Sequence, residues 1–179
     1  MKNLLSLALI LSIALLFSCG DDDGPSVNSE GQLSFDGETA ALTHAYIEDY
    51  GENDNGSFDV DITLTSKAVD LGSESISNVS VVYLDLNTSI QNVLEAGTYT
   101  YTDGDRDEFK MVDGFVAINA SFDSEGNTSG KIFEVTGGTV TVTRSSGVYN
   151  ISFTLTGDND ERATGSYNGA LTPYEDTDD

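Results

Sequence analysis

The chain has very few residues that could cross-link it or bind metal, and few positive charges. Its 179 residues include 1 Cys, 1 His, 2 Pro and no Trp, with 7 Lys or Arg against 31 Asp or Glu. A single Cys excludes an internal disulfide framework and a Cys-based zinc site. The net charge of −24 argues against nucleic acid or an anionic membrane surface as a partner, because both would be repelled. The length predicts one ordinary domain.

Residue types used in catalysis are also scarce. Nucleophilic catalysis needs a base beside the nucleophile, and the only His, His44, lies in a predicted strand where a solvent-facing role is expected. No G-x-S-x-G elbow, phosphate-binding glycine loop or H-E-x-x-H motif occurs. The acids are so numerous that a chance pair of carboxylates is no sign of glycoside hydrolysis. We therefore expect no catalytic residues. The alternative, a hydrolase, would have strongly shifted carboxylate pKa values in a cleft.

The first 18 residues are typical of a secretory signal peptide. Lys2 precedes an apolar stretch over residues 4–17, which only Ser6 and Ser12 interrupt. A helix of that length rises about 21 Å, less than the roughly 30 Å of a bilayer core. We therefore predict a signal peptide over residues 1–18 that is cleaved off and does not remain as a membrane span.

The residues around the single Cys resemble the lipobox of bacterial lipoproteins. The motif reads Leu16-Phe17-Ser18-Cys19, with a small residue directly before the Cys. The resemblance implies cleavage before Cys19 and a diacylglycerol on its sulfur. Two or three acyl chains, such as palmitate, hold a protein at a membrane far more firmly than one chain does. The alternative is a free core Cys behind an ordinary signal peptide.

An acidic run follows the Cys. Asp21-Asp22-Asp23 resembles the surface-export signal of Bacteroidetes lipoproteins, which implies an outer-membrane protein displayed at the cell surface. Two alternatives stay open: a position on the periplasmic face, and a run that is only a solvated spacer. Residues 19–31 are thus predicted to be a lipidated Cys and a flexible acidic tether.

Residues 32–174 predict one all-β domain, followed by an acidic tail over residues 175–179. Apolar and polar residues alternate with period two, and residues 139–144 and 148–156 predict a hairpin. About nine strands predict an antiparallel barrel, lipocalin-like, or a β-sandwich of about 8–10 strands. We also expect residues 33–35 to pair with 42–50, residues 79–86 to form a strand buried on both faces, and residues 91–96 to form a helical turn.

Short turn-and-strand phrases in this domain carry a second resemblance. They are Asp36-Gly37, Tyr50-Gly51, Gly97-Thr98-Tyr99, Gly138-Thr139-Val140, Tyr149-Asn150-Ile151 and Gly165-Ser166-Tyr167. With them, residues 32–172 look like small surface lipoproteins of Bacteroidetes, some of which have lipocalin-like or related β-barrels. The resemblance implies a fold and a location, but no site residues.

One acidic loop is a candidate calcium site. Asp103, Asp105 and Asp107 offer oxygen ligands at alternate positions, as Ca²⁺ prefers. Arg106 offsets part of their charge, and Glu108 stands where the turn glycine of an EF-hand loop belongs. The alternative is an exposed acidic hairpin loop. No other cofactor is expected.

Together these features predict a membrane-anchored, non-catalytic binding module whose ligand is a glycan, a small apolar molecule in a barrel mouth, or a protein. Tyr99 with Tyr101, and Tyr46 with Tyr50, are either an aromatic platform or half-buried core edges. A barrel filled by its own side chains would count against a ligand inside it. The alternative function is a structural or accessory envelope protein that acts through protein contacts alone, which a large exposed apolar patch would favour.

Overall fold

The computed structural model describes residues 29–174, which fold as an all-β domain. The predicted signal peptide, Cys19, residues 20–28 and the acidic tail lie outside the described residues. Within 29–174 no helix has the length and apolarity to cross a bilayer; the helical segment there is a 3-10 turn over Asp158–Asp160. The strands are β1 (Glu30–Phe35), β2 (Glu38–Ala41), β3 (His44–Glu52), β4 (Phe58–Thr65), β5 (Ile76–Thr88), β6 (Gly97–Tyr101), β7 (Lys110–Phe122), β8 (Thr128–Glu134), β9 (Gly137–Ser145), β10 (Val148–Thr156), β11 (Arg162–Gly169) and β12 (Thr172–Pro173).

Two-residue turns close two of the hairpins. Ser146 and Gly147, between β9 and β10, have φ values of 50° and 82°. Two positive φ angles in succession are the mark of a type I′ turn, whose twist matches that of the flanking strands. Asp36 and Gly37, between β1 and β2, have φ values of 49° and 76°. The predicted hairpin of residues 139–144 and 148–156 is confirmed.

The strands form one strongly curled sheet, a half-barrel. Their order is β12-β3-β4-β5-β7-β6-β9-β10-β11-β1-β2, and β8 pairs with β7 off this path. The all-β prediction is confirmed, although the sheet is mixed: β6 beside β7 and β12 beside β3 run parallel. The two ends of this strand order are joined by the short link between β2 and β3. Between β2 and β3, the Leu42 N–H donates to the Gly31 carbonyl at 2.9 Å and the Thr43 N–H donates to the Thr65 carbonyl at 2.8 Å.

The concave side of the sheet encloses one apolar core, to which every strand from β1 to β11 contributes. Tyr99 and Tyr167 are its largest fully buried side chains. Their hydroxyls donate to the backbone carbonyls of Glu95 at 3.0 Å and Ala170 at 2.8 Å, so neither polar group is stranded. Each large apolar side chain buried in this way contributes about 1.5–3 kcal/mol to folding. The protein's own side chains therefore fill the inside of the curl.

Strand β5 is buried on both faces, as predicted for residues 79–86. Val82, Leu84 and Leu86 lie in the core. Val79 and Val81 belong to a smaller apolar cluster on the opposite, outer face of the sheet. Side chains such as Val69 and Ile76 pack against this second cluster on the outer face. The candidate site lies on the same face.

Several local expectations differ from the structure. β1 pairs with β2, whereas residues 44–52 form β3 and pair with β4, so the predicted pairing of 33–35 with 42–50 is wrong. The cause lies at Leu42 and Thr43. The chain passes there from β2, at one end of the sheet, to β3, near the other end, while the apolar alternation continues without a break. Residues 91–96 form a turn and an irregular segment in place of a helical turn. β1 begins at Glu30, within the predicted tether.

Candidate functional site

The outer face of β3, β4, β5 and β7 carries two unusual rows of side chains. The strand register places residues of the four strands side by side, and such cross-strand neighbours contact one another. One row is mainly aromatic and the adjacent row is acidic. The aromatic row is Tyr46, Thr63, Tyr83 and Phe115, and the acidic row is Glu48, Asp61, Asp85 and Asp113.

Three members of the aromatic row, Thr63, Tyr83 and Phe115, form the floor of a groove of about 270 Å³. Residues 66–75, between β4 and β5, form one wall, and the Val69 N–H fixes that wall by donating to the Tyr46 hydroxyl at 3.0 Å. The Tyr83 and Phe115 rings stack with centroids 5.4 Å apart. The groove is lined by Glu48, Tyr50, Asp61, Thr63, Thr65, Val69, Leu71, Ile76, Val81, Tyr83, Phe115 and Phe122. The charged side chains among these are two carboxylates.

Asp61 lines the groove and also belongs to a group of three carboxylates, Asp59, Asp61 and Asp85, called here the acid cluster. One oxygen of each lies within 4.8 Å of the others. Asp61 and Asp85 are each only 7% exposed. Carboxylates held this close and this deep repel one another unless a cation or a proton stands among them.

Arg106, from the loop between β6 and β7, supplies one positive charge. Its Nη1 lies 2.5 Å from Asp59 Oδ2, and its Nη2 lies 3.2 Å from Asp85 Oδ2. The Ser57 hydroxyl and the Asn55 side-chain amide donate to the Arg106 carbonyl at 2.6 and 3.0 Å, which fixes this loop against the β3–β4 loop. One guanidinium facing three carboxylates leaves the acid cluster with excess negative charge.

Burial raises the carboxyl pKa values of two members of the acid cluster, Asp61 and Asp85. It raises the pKa of Asp61 to about 6, against the hydrogen bond that the Tyr83 hydroxyl donates to Asp61 Oδ2 at 2.5 Å. Burial raises the pKa of Asp85 to about 7, and the charge of Asp59 adds to this effect while Arg106 opposes it. The shifts expected of a hydrolase are therefore present here, and they need an explanation.

Asp59 adds to the effect of burial on the pKa of Asp85. Asp59 Oδ1 and Asp85 Oδ1 are buried and have no hydrogen-bond donor among the described residues when both groups are ionised. A proton on Asp85 supplies that donor, and the hydrogen bond between Asp85 and Asp59 raises the pKa of Asp85 further. With one proton and Arg106 in place, the three carboxyl groups still carry one net negative charge.

As a metal centre, the acid cluster is incomplete. Its carboxylates are hard oxygen ligands, but Ca²⁺ uses about 6–8 of them. Arg106 already takes one oxygen of Asp59 and one of Asp85. The cluster is therefore better described as a carboxylate site that a guanidinium partly neutralises.

The predicted calcium residues lie in the same loop as Arg106. Asp103, Asp105 and Asp107 are exposed. The Asp107 N–H donates to Asp105 Oδ1 at 3.1 Å, and the Asn55 side-chain amide donates to Asp107 Oδ1 at 3.2 Å. In the part of the chain that the structure describes, it is Asp59, Asp61 and Asp85 that converge, and not these three. Calcium binding by the loop stays a prediction.

The aromatic candidates separate into two groups. Tyr99 is fully buried in the core, and Tyr101 packs against its edge. Tyr46 and Tyr50 lie at the groove: Tyr46 accepts the bond that fixes its wall, and Tyr50, 62% exposed, lines its rim. His44 is exposed at the start of β3, with Nδ1 2.9 Å from the Thr43 hydroxyl.

Sequence reasoning missed Asp59, Asp61 and Asp85, although a signal was present. Asp59 and Asp61 alternate with Val60 and Ile62 and read as a solvated strand face. Asp85, however, interrupts an otherwise apolar strand that is buried on both faces. An ionisable residue there needs a partner, and the charges next to it point to such a cluster.

A wider cleft of about 650 Å³ lies at the β1–β2 turn and is less suited to binding. Its Lys131 is already paired with Asp36 and Glu38, at 2.7 Å each. The Lys131 charge is therefore already neutralised, whereas the groove combines an aromatic floor with carboxylates that no Lys or Arg in its lining neutralises. Comparisons of the chain with protein-family models, with curated proteins and with solved structures found no match.

Proposed function

We propose that the protein is a lipid-anchored, non-catalytic binding module of the outer membrane, displayed at the cell surface, and that its ligand site is the groove on the outer face. The observation that carries this proposal is the aromatic row beside the acid cluster, enclosed by residues 66–75. Stacked aromatic rings next to a few polar groups are the usual lining of a small-ligand site.

The location of the site follows from how the core is filled. Side chains such as Tyr99 and Tyr167 occupy the inside of the curl, which counts against a small apolar ligand bound there. The groove remains open to a ligand with a flat or apolar face, because Phe115 and Tyr83 line it and are only partly buried. A sugar ring or an aryl group would stack on such a surface.

In this proposal the lipid anchor and the groove have separate functions. Acyl chains at Cys19 would keep the domain at the membrane, and the residues between Cys19 and β1 would give it reach. The groove would then act at the envelope surface without any chemistry of its own. An accessory role through protein contacts alone is less well supported. In residues 29–174 the exposed large hydrophobic residues are Tyr50 and Ile90, and two such residues do not make a continuous apolar patch.

A hydrolase is the second candidate because the pKa values of Asp61 and Asp85 are raised beside a groove. Against it, glycosidase carboxyl groups lie about 5–9.5 Å apart so that sugar and water fit between them. Here one oxygen of each carboxylate lies within 4.8 Å of the others, and Arg106 occupies the positions beside Asp59 and Asp85. A panel of chromogenic glycosides and esters tests this. Turnover that Asp61→Asn abolishes would replace the binding module by an enzyme.

The binding proposal is tested by NMR of the full chain labelled with ¹⁵N, titrated with neutral aryl glycosides and with arylalkyl amines. The expected result is chemical-shift changes confined to Thr63, Val81, Phe115 and residues 66–75. Thr63→Trp fills the groove without changing the charge and should remove these changes. Shifts that cluster elsewhere, or that survive in Thr63→Trp, would contradict the assignment of the site.

A further inference from the structure

The charge of the groove narrows the class of ligand, an inference that rests on the proposed function. Glu48 and Asp61 are the charged side chains in its lining, and the lining contains no Lys, Arg or His. Behind Asp61, the other carboxylates of the acid cluster outweigh the one guanidinium of Arg106. The groove is thus aromatic along its floor and negative at one end.

We propose that the groove binds a small organic cation, an ammonium or amidinium group attached to a short apolar or aromatic body. The positive head would pair with Asp61 and Glu48, and the body would lie on Tyr83 and Phe115. A cation close to aromatic faces is also attracted by the quadrupoles of the rings. An anionic ligand would be repelled from the same position.

The size of the groove sets the size of the ligand. Its volume of about 270 Å³ lies below the roughly 300–1,000 Å³ of sites that take drug-sized molecules. Such a groove holds about one ring with a short side chain. The ligand is therefore smaller than an oligosaccharide, and a basic peptide would have to insert a single side chain.

Asp61 is the residue that gives selectivity. It is 7% exposed, and Tyr83 holds one of its oxygens through the 2.5 Å hydrogen bond. The side chain is therefore fixed in orientation before a ligand arrives, which lowers the entropy lost on binding. Glu48, on the neighbouring strand and directly opposite Asp61 in the register, adds a second carboxylate at the rim.

The test compares three probes of one shape: phenethylamine, 2-phenylethanol and phenylacetate, which are positive, neutral and negative. Each is titrated calorimetrically into the full chain at about pH 8 and about 0.15 M salt, which screens distant surface charges. The amine is expected to bind at least about tenfold more tightly than the alcohol, and phenylacetate is expected not to bind.

Two variants and a control assign the effect. Asp61→Asn keeps an oxygen for the Tyr83 hydroxyl and should bring the affinity for the amine down to that for the alcohol. Thr63→Trp should remove both. The control, Asp160→Asn, removes one negative charge from an exposed turn position with φ 62°, which Asn tolerates. It should bind like the parent chain.

The outcomes separate this inference from the proposed function. If the alcohol binds as tightly as the amine and Thr63→Trp abolishes both, the ligand is not a cation, but the groove is still the site. If no probe responds to Thr63→Trp, both proposals fail. If Ca²⁺, added as calcium chloride, binds at Asp61 and the amine does not, the ligand is a metal ion and the proposal of an organic cation is overturned. Tetralysine could bind more tightly than the amine, and Asp61→Asn could leave that binding unchanged. This result would show only diffuse attraction to the acidic surface and would also overturn the proposal of an organic cation.

Discussion

The Tyr83 hydroxyl donates a 2.5 Å hydrogen bond to Oδ2 of Asp61 on the neighbouring strand. The two residues are diagonal neighbours, since Tyr83 is opposite Thr63 and Asp61 is opposite Asp85. The bond joins the aromatic row to the acidic row. Burial and the nearby carboxylates raise the pKa of Tyr83 above its usual 10, so the hydroxyl remains a donor at physiological pH.

Replacing Tyr83 by Phe removes this donor and leaves a buried carboxylate oxygen unsatisfied. We expect Tyr83→Phe to lower the free energy of unfolding by about 1–3 kcal/mol at pH 8, and by less at pH 5, where Asp61 carries a proton. Urea unfolding of the full chain at the two pH values measures this. Tyr101→Phe, at the edge of the core, is the control and should change stability by less than about 0.5 kcal/mol. An equal loss for Tyr83→Phe at both pH values would contradict the role assigned to the bond.

The raised pKa values of Asp61 and Asp85 make stability depend on pH. Both lie above the unfolded-state value of 3.8, at about 6 and about 7, so the folded protein binds more protons than the unfolded chain between those limits. The free energy of unfolding should therefore fall as pH rises from 5 to 8, by an amount on the order of a few kcal/mol. Burial, Asp59 and Glu48 favour the protonated forms, and Arg106 and the Tyr83 bond oppose them.

Asp85→Asn is the variant that tests this dependence. The amide cannot titrate, so the slope of stability against pH should become clearly shallower than in the parent chain. Thermal unfolding measured at intervals from pH 5 to pH 8 gives both slopes. Asp160→Asn, at an exposed turn, should keep the parent slope. Parallel curves for Asp85→Asn and the parent would show that Asp85 does not hold a proton in the folded protein.

Arg106 is the cation that neutralises part of the acid cluster. Arg106→Met keeps most of the side-chain bulk and removes the charge, so Asp59 and Asp85 lose their partner. Because the Arg106 side chain is 41% exposed, we expect a loss of about 1–3 kcal/mol at pH 8, and a smaller loss at pH 5. Arg162→Gln, on the exposed start of β11, serves as the matched loss of one positive charge. A loss in Arg106→Met no larger than in Arg162→Gln would mean that the pair contributes little.

The anchor is tested on the full chain expressed in a bacterium with an outer membrane. Cys19→Ser should move the protein from the membrane fraction to the soluble fraction, because a hydroxyl does not replace the sulfur that carries the diacylglycerol. Mass spectrometry of the N-terminal peptide should show acylated Cys19 in the parent chain, and Ser18→Ala should retain the modification. An unmodified Cys19 in a freely soluble parent protein would contradict the proposal.

The sequence predicted the fold class well because alternation reports which residues face a core. The β9–β10 hairpin and the two-sided burial of β5 followed from local pattern alone. Alternation carries no information on which strands pair, however, so residues 42–50 were predicted to pair with residues 33–35, although β3 pairs with β4. The site was missed for the same reason: Asp61 and Asp85 are 24 residues apart and become neighbours only through the β4–β5 register. Arg106 came from a third segment, where it was read as an offset to its own loop.

The link at Leu42 also determines how far the acid cluster lies from the start of β1. Gly31, near the point where the chain enters β1, lies beside Leu42 at the start of β3. Asp59 lies opposite Gly51, near the other end of that strand, about 30 Å from Leu42 at 3.3 Å per residue. The acid cluster, at the negative end of the groove, therefore lies toward the end of β3 that is opposite to the entry of the chain into β1.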